Sequence, residues 1–302
     1  MVMKLGMIGL NKNNGHPYSF SSIINGYDPY YLKKSGWDVI FNYLSKRSKK
    51  EFGIKDVNIS HVWTQNLKTS NLLSKACFIN NICADFTEMI GKVDGVIIAR
   101  DDWKNHYKFS HEFLKKGIKV FIDKPLTLNK NELNFFTKYL RNNCLMSCSG
   151  LRYSTELKNL KKKIDPKSTR LIIANIHKDL EKYGVHMLEA IYGIGKGFNR
   201  SKLISKLPSR NKSFYIKLSS GVDVYLNCLG NVKKTINLKI LTNKNNYDID
   251  MFDNFGAFKE TLINFVKFVK VNKHQFDPNE TINIMNTLIK ASKINDIKMH
   301  NI

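Results

Sequence analysis

Residues 93–125 decide the fold of this chain and read VDGVIIARDDWKNHYKFSHEFLKKGIKVFIDKP. Val93–Ala99 is a continuous β-branched run, which is typical of a buried parallel strand. An amphipathic helix follows, and Gly117 is a natural end for it because glycine adopts left-handed conformations at little cost. Residues 118–123 read as a second strand, which Lys124-Pro125 ends. A strand, a helix and a strand in this order predict a βαβ unit and a parallel sheet.

The same alternation extends on both sides of this stretch. Lys4–Leu10 is an apolar run that stops at a turn cluster, and Asn58–Thr64 alternates as a half-buried strand does. A further short strand is predicted at 144–148. We therefore predict an α/β protein whose first domain, residues 1–125, is a doubly wound, Rossmann-like parallel sheet. Residues 26–56 are aromatic and basic, and their pattern assigns no element.

The second half of the chain has a different order of predicted elements, because strands follow one another closely along the sequence. They are expected at 170–177, 202–207, 213–219, 222–229 and 235–242. Closely spaced strands favour an antiparallel sheet, so residues 126–302 are predicted to form an α+β domain on a mostly antiparallel open sheet. One helix is expected near 184–194 and two more close the chain. A sheet with so few helices leaves one face uncovered, which predicts a homo-oligomer.

Composition narrows the class of protein. The 302 residues carry 49 basic and 25 acidic side chains, a formal net charge of +24. The basic residues are scattered and lack interleaved aromatic residues, so we predict no nucleic-acid partner and attribute the charge to steering of an anionic ligand. No apolar run approaches the roughly 20 residues that cross a bilayer. The five cysteines lack metal spacing, which predicts reduced thiols, no metal and a cytoplasmic protein.

The loop after the first strand, Gly9 to Gly15, lies where a dinucleotide fold needs glycines. Gly9 is present, but Asn11 and Asn14 replace the later glycines of Gly-x-Gly-x-x-Gly. Asparagine tolerates a positive φ better than other non-glycine residues do, and Gly15 offers flexibility one residue later. The loop is therefore either a degenerate phosphate loop or a plain connection.

Two residues could carry acid–base chemistry. Lys124 follows a strand at the edge of the sheet where ligands of parallel sheets bind, and its charge can stabilise a developing alkoxide. His186 falls in the first turns of a helix, and an imidazole is suited to take a proton from an alcohol.

In this order the segments resemble the Gfo/Idh/MocA family of nicotinamide-dependent oxidoreductases, over nearly the whole chain. The run into Asp123-Lys124-Pro125 resembles the family's Glu-Lys-Pro. Ser149-Gly-Leu-Arg152-Tyr153 resembles the turn that opens its second domain, and Gly184-Val-His186 its Gly-x-His.

The resemblance implies an NAD(P)-dependent dehydrogenase or reductase that transfers a hydride between NAD or NADP and a sugar or sugar derivative, including nucleotide and surface-polysaccharide sugars. Lys124 and His186 would be the catalytic residues. The implied cofactor contacts are Gly9, Leu10, Asn11, Asn14, Gln65, Arg100, Asp102, His106, Asp123 and Lys124. The implied substrate contacts are Arg152, Tyr153, Lys178, Asp179 and Tyr183.

The chain departs from the family at two positions that matter. Lys182 stands where many members have an aspartate four residues before the histidine. Either Asp179 or Glu181 substitutes, or the proton relay differs, or the site is not that of a dehydrogenase. Thr64-Gln65-Asn66 offers no acidic residue to hold a ribose hydroxyl, so NADP stays open beside NAD. The degenerate glycine loop and Lys182 keep open an alternative: a non-catalytic binding or regulatory protein on the same fold.

Overall fold

The structure is a computed structural model that describes residues 2–294. The chain divides into two compact units. The first comprises the residues up to Thr127, Asn134–Ser147 and Phe258–Pro278; the second comprises Leu128–Leu133, Cys148–Ala257 and the residues from Asn279 onward. Both units are therefore discontinuous along the chain, and the boundary predicted after residue 125 stays a prediction.

The first unit is built on a parallel sheet. Its strands are β1 (Met3–Ile8), β2 (Val57–Trp63), β3 (Asn81–Ile82), β4 (Gly95–Ile98), β5 (Lys119–Ile122) and β6 (Leu145–Met146). They are ordered β3-β2-β1-β4-β5-β6, and each neighbouring pair is parallel. This is the doubly wound strand order, in which the chain reverses direction across the sheet between β1 and β4. The predicted Rossmann-like fold is confirmed.

Helices alternate with the strands of this sheet along the sequence. They are α1 (His16–Asn25), α2 (Pro29–Lys34), α3 (Asp38–Leu44), α4 (Leu67–Ala76), α5 (His106–Lys115) and α6 (Lys130–Arg141). Gly117 follows α5 at a φ of 74°, as the predicted helix end requires. The unassigned residues 26–56 contain α2 and α3, which are only 6 and 7 residues long. Such short helices depend on packing more than on their own periodicity.

The second unit carries a mixed sheet. Its strands are β7 (Thr169–Ile176), β8 (Ser201–Leu207), β9 (Lys212–Leu218), β10 (Asp223–Cys228), β11 (Ile236–Thr242) and β12 (Asn246–Asp250). The order is β12-β11-β7-β10-β9-β8, with one parallel pair, β7 with β10, among antiparallel neighbours. The mostly antiparallel sheet is confirmed. The polar strand β12 was not predicted, because it lies at an edge and buries little apolar surface.

Four further helices lie within residues 2–294: α7 (Thr155–Leu160), α8 (Val185–Ile194), α9 (Asn254–Val271) and α10 (Pro278–Ala291). Side chains alternate along the strands of the second sheet: Ile172, Val224 and Leu226 are fully buried, whereas Tyr225 on the opposite face is 36% exposed. None of the helices in residues 2–294 is long and apolar enough to cross a membrane.

Candidate functional site

The loop after β1 keeps its two glycines because its surroundings are tight. A Cβ on Gly9 would lie 2.3 Å from Pro17 Cγ, and one on Gly15 would lie 2.4 Å from Ile40 Cδ1. Gly15 has an ordinary φ of −94°, so it supplies space and not the predicted flexibility. The positive φ of the loop, 66°, belongs to Asn13. Asparagine therefore takes the left-handed position, as its tolerance predicts, but not at Asn11 or Asn14.

This loop leads into the N-terminus of α1 and leaves backbone donors available. The N–H groups of Lys12 and Asn13 make no hydrogen bond with residues 2–294, whereas the His16 N–H donates to Asn14 Oδ1 at 2.9 Å. Free N–H groups beside a helix N-terminus are the usual cradle for a phosphate. The loop therefore fits the pyrophosphate of a dinucleotide despite its missing glycines.

Arg100, which was predicted to contact the cofactor, makes several of the hydrogen bonds that hold this loop. Its guanidinium is buried, donates to both carboxylate oxygens of Asp102 at 2.8 and 2.6 Å, and reaches Leu10 O at 3.0 Å. The Gln65 side chain bonds both the N–H and the carbonyl of Leu10. Although burial raises the pKa of Asp102, the hydrogen bonds from Arg100 and Asn105 lower it below the usual range. Four predicted cofactor contacts are thus brought together, bonded to one another.

Two other predicted contacts anchor neighbouring loops. Asn11 donates to Asp101 Oδ1 at 2.6 Å and so ties the loop after β1 to the segment after β4. The ring nitrogens of His106 lie 2.9 Å from Leu126 O and 2.9 Å from Arg100 O, and the residue is fully buried. His106 therefore joins the segment after β4 to the segment after β5 at the edge of the sheet. Its contact with a cofactor stays a prediction.

Asp123 and Lys124 lie buried at the end of β5, 3% and 5% exposed. Asp123 Oδ2 lies 2.5 Å from His16 Nδ1 and 3.5 Å from Asn14 Nδ2, which joins β5 to the start of α1. Burial raises the pKa of Asp123, but the charge and hydrogen bond of His16, with the charge of Lys124, outweigh it and lower the pKa to about 2. The neighbouring carboxylate compensates a lysine that is costly to bury.

A cavity of about 550 Å³ opens beside the ends of β1 and β2. It is lined by Leu10, Asn13, Tyr18, Ser35, Gly36, Trp37, Lys68, Thr69 and Leu72. None of these nine residues is acidic. The side chains that follow β2 are engaged internally: Thr64 Oγ1 bonds Asn66 O at 2.8 Å, and Asn66 caps α4. The cavity therefore offers a lysine where an NAD site offers a carboxylate.

In the second unit, His186 belongs to a separate polar cluster. Its Nδ1 lies 2.5 Å from Ser149 Oγ, and its ring lies 5.7 Å from the Tyr183 ring. Lys178, at a φ of 68°, donates to the Tyr183 hydroxyl at 2.8 Å. Asp179 instead accepts the Lys182 N–H at 2.8 Å and caps the turn of π-helix before α8. Three predicted site residues, Lys178, Tyr183 and His186, thus lie in contact.

Arg152, predicted to contact substrate, lies in a buried ion cluster. Its Nε donates to Glu189 at 2.5 Å and its Nη1 to Glu280 at 2.5 Å, and the three residues are at most 9% exposed. Burial raises the pKa of Glu189 although Arg152 opposes it, because two carboxylates share one guanidinium. The adjacent Tyr153 hydroxyl is buried without a hydrogen-bond partner among the described residues. Substrate contact by Arg152 or Tyr153 stays a prediction.

Sequence reasoning missed Ser149, Glu189 and Glu280. One signal was present for Glu189, which is the only charged residue in the apolar helix VHMLEAIYGI. A lone carboxylate in a helix that is buried on all sides indicates a buried partner. Nothing comparable marks Ser149, because serine is common in turns.

Comparison with known proteins identifies the first unit. Residues 40–147 match the family model GFO_IDH_MocA, described as an oxidoreductase family with an NAD-binding Rossmann fold. No curated protein sequence matches the chain. The predicted cofactor class, NAD or NADP, is confirmed by this family; the choice between the two is open.

Solved structures share the fold across both units. The myo-inositol 2-dehydrogenase of Lactobacillus plantarum is 14% identical, with a TM-score of 0.74 and 97% of each chain covered. GenD2 from gentamicin A biosynthesis, in complex with NAD, is 10% identical, with a TM-score of 0.72 and 95% of this chain and 92% of GenD2 covered. UDP-N-acetylglucosamine 3-dehydrogenase GnnA from Acidithiobacillus ferrooxidans is 12% identical, with a TM-score of 0.69 and 96% and 97% covered.

At these identities the neighbours establish the fold alone, while the family match establishes the oxidoreductase class of the nucleotide-binding region. The resemblance read from the sequence is therefore confirmed: residues 40–147 match the model of the Gfo/Idh/MocA oxidoreductase family, and the solved structure of an inositol dehydrogenase shares the fold.

Proposed function

We propose that the protein transfers a hydride between a nicotinamide cofactor and a sugar or sugar derivative. The observation that carries the proposal is the family match over residues 40–147, a region in which β5 ends at the buried pair Asp123 and Lys124. The sugar class is supported by neighbours named as inositol and sugar-nucleotide dehydrogenases. A nucleotide sugar or a surface-polysaccharide sugar fits the same proposal.

The proposed roles follow from the chemistry of the side chains. The N–H groups of Lys12 and Asn13 hold the pyrophosphate, and nicotinamide supplies the hydride chemistry. Lys124 orients the substrate hydroxyl and stabilises negative charge on its oxygen. His186 exchanges the hydroxyl proton. Lys178 and Tyr183, bonded to each other beside His186, are the proposed substrate contacts.

We propose further that the cofactor is NADP(H). NAD-binding sites hold the ribose hydroxyls with a carboxylate after the second strand, whereas a basic residue there accepts the 2′-phosphate of NADP. The cavity beside β1 and β2 has Lys68 and no acidic residue in its lining. Lys68 lies in the first turn of α4, where the helix dipole also favours an anion.

Calorimetry of the full chain with NADPH and NADH tests both proposals. We expect NADPH to bind more tightly than NADH, and Lys68→Glu to weaken NADPH binding by about tenfold or more, because a charge-assisted hydrogen bond is lost. Binding of NADH by this variant should change little.

Lys75→Glu is the matched control, because Lys75 lies on the same helix and does not line the cavity. It should leave both affinities near those of the wild type. Tighter binding of NADH than of NADPH would refute the NADP(H) assignment alone. No heat with either nucleotide at millimolar concentration would refute the oxidoreductase proposal and favour a non-catalytic role.

We also propose that the protein is a homo-oligomer formed through the open face of the second sheet. This face carries the apolar and aromatic residues Leu171, Ile173, Leu203, Tyr215, Tyr225 and Leu241, beside the ion pair of Lys217 and Asp223. Tyr225 pairs with both Ile173 and Tyr215, so apolar side chains from three adjacent strands form one patch, and Leu203 at its edge is 54% exposed. Contiguous apolar patches of this kind mark association surfaces.

Light scattering at micromolar concentration should therefore show an oligomer, and Tyr225→Glu should shift it toward the monomer because a charge enters the patch. Tyr30→Glu is the control, since Tyr30 is 67% exposed in the first unit and outside this face. A wild-type monomer at this concentration would refute the proposal.

A further inference from the structure

We propose that the second unit holds a binding site for a phosphorylated small molecule, in a cavity between β8 and α10. The cavity has a volume of about 430 Å³, which is within the range of small-molecule sites. Its lining comes from the start of β8, from α10 and from the residues just after this helix. All the lining residues belong to the second unit, and the proposal does not rest on the proposed function.

The lining of this cavity is basic. Lys202 comes from β8, Lys290 from the last turn of α10 and Lys293 from the residues after it, whereas none of the ten lining residues is acidic. The three lysine side chains are exposed, so each ammonium keeps its charge at little cost. None of them makes an ion pair with residues 2–294. Their charge is therefore available to an anion.

The position of two lysines at the end of a helix accounts for only part of this charge. The C-terminal end of a helix carries about half a negative charge, which attracts Lys290 and Lys293 and opposes an anion. Lys202 lies on a strand and is outside this effect. Because three ammonium groups face about half a negative charge, the cavity stays positive.

Asn286 adds a hydrogen-bond donor of known orientation to the lining. Lys130 Nζ donates to Asn286 Oδ1 at 2.8 Å, which identifies the amide oxygen because an ammonium cannot accept a hydrogen bond. The amide Nδ2 group makes no hydrogen bond with residues 2–294. It therefore remains a donor in a cavity that it shares with three lysines.

Hydrogen bonds hold β8 to α10 beside the cavity. Asn283 Oδ1 accepts the Ser201 N–H at 2.8 Å, and Asn283 Nδ2 donates to Ser201 O at 3.3 Å. The Tyr192 hydroxyl lies 2.7 Å from Ser201 Oγ and also donates to Asn283. The two walls are therefore fixed before a ligand arrives, which lowers the entropy cost of binding.

The donors of the cavity favour phosphate groups among anions. Lysine binds phosphate as a point charge, and the lining has no arginine to hold a planar carboxylate by two parallel hydrogen bonds. A phosphate monoester carries about 1.5 to 2 negative charges at pH 7, so one or two such groups match three lysines. Leu203 and Ile204 provide apolar surface for the rest of the molecule.

Side-chain amide ¹H–¹⁵N spectra of the full chain, labelled at asparagine and titrated with inorganic pyrophosphate, test the site. The Asn286 signal is the one missing from the Asn286→Ser spectrum. We expect pyrophosphate to shift it. The concentration at half shift should rise about two- to fivefold in Lys290→Gln and about tenfold in Lys202→Gln combined with Lys290→Gln, because each exposed ion pair contributes modestly. Citrate, a tricarboxylate, should require a higher concentration than pyrophosphate.

Lys206→Gln is the matched control, because Lys206 lies on the same strand as Lys202 and does not line the cavity. It should leave the titration of the Asn286 signal unchanged. A signal that pyrophosphate leaves unmoved would overturn the proposal. So would an effect of Lys206→Gln as large as that of the double variant, because the net charge of the chain would then explain the response. A stronger response to citrate than to pyrophosphate would overturn the assignment to phosphate.

Discussion

Replacing Lys124 or His186 with alanine is expected to lower turnover of the substrate by about 10²–10⁴-fold, because each removes acid–base or electrostatic help at the reacting oxygen. Lys124 is 5% exposed beside Asp123, and His186 is held by Ser149, so neither side chain is a freely moving surface group. The measurement is kcat with the cofactor saturating, once screening of sugars and sugar nucleotides has given a substrate.

Two controls separate catalysis from binding and folding. His186→Ala should bind NADPH as the wild type does, since His186 is not among the proposed nucleotide contacts. Lys182→Ala should change kcat little, because no proton is assigned to that side chain. The assignment also predicts that Lys124 Nζ and the His186 ring lie within about 10 Å, as sharing one oxygen requires. A larger separation in a crystal structure with bound NADPH would exclude it.

Arg152→Met is expected to lower the free energy of unfolding by about 3–5 kcal/mol, because it breaks a buried ion cluster. Methionine fills a similar volume but leaves the carboxylates of Glu189 and Glu280 buried without their guanidinium. The measurement is urea unfolding followed by circular dichroism. Arg170→Met is the control, because Arg170 is exposed in the same unit and its side chain donates to Asn243 Oδ1 at 2.7 Å, a surface contact.

A triple variant tests the cause of this loss. Arg152→Met combined with Glu189→Gln and Glu280→Gln replaces the two carboxylates that lost their guanidinium by neutral amides. This variant should recover part of the lost free energy of unfolding. If Arg152→Met instead unfolds within 1 kcal/mol of the wild type, as expected for surface changes, and raises the substrate KM, Arg152 contacts substrate as the sequence predicts and the structural role is wrong.

The βαβ stretch of residues 93–125 shows which features of the fold local sequence patterns can predict. Its two strands, its helix and the helix end at Gly117 were all read correctly, because burial of parallel strands and the geometry of a helix end are properties of consecutive residues. The same local reasoning found a left-handed asparagine in the loop after β1 but gave it the wrong positions. The left-handed residue is Asn13, at a φ of 66°, between Gly9, which packs against Pro17, and Gly15, which packs against Trp37.

What the sequence by itself determined is the doubly wound sheet, the mostly antiparallel second sheet and the resemblance to the family, since these follow from periodicity, turn chemistry and motifs of neighbouring residues. Only the tertiary structure decided what the polar residues do. Arg100 donates hydrogen bonds to Asp102 and Leu10, and Asp179 caps the turn before α8. Ser149 Oγ lies 2.5 Å from Nδ1 of the His186 ring. Ser149 and His186 are 37 positions apart in the chain, yet they meet because burial favours polar groups that find a partner wherever the packing provides one.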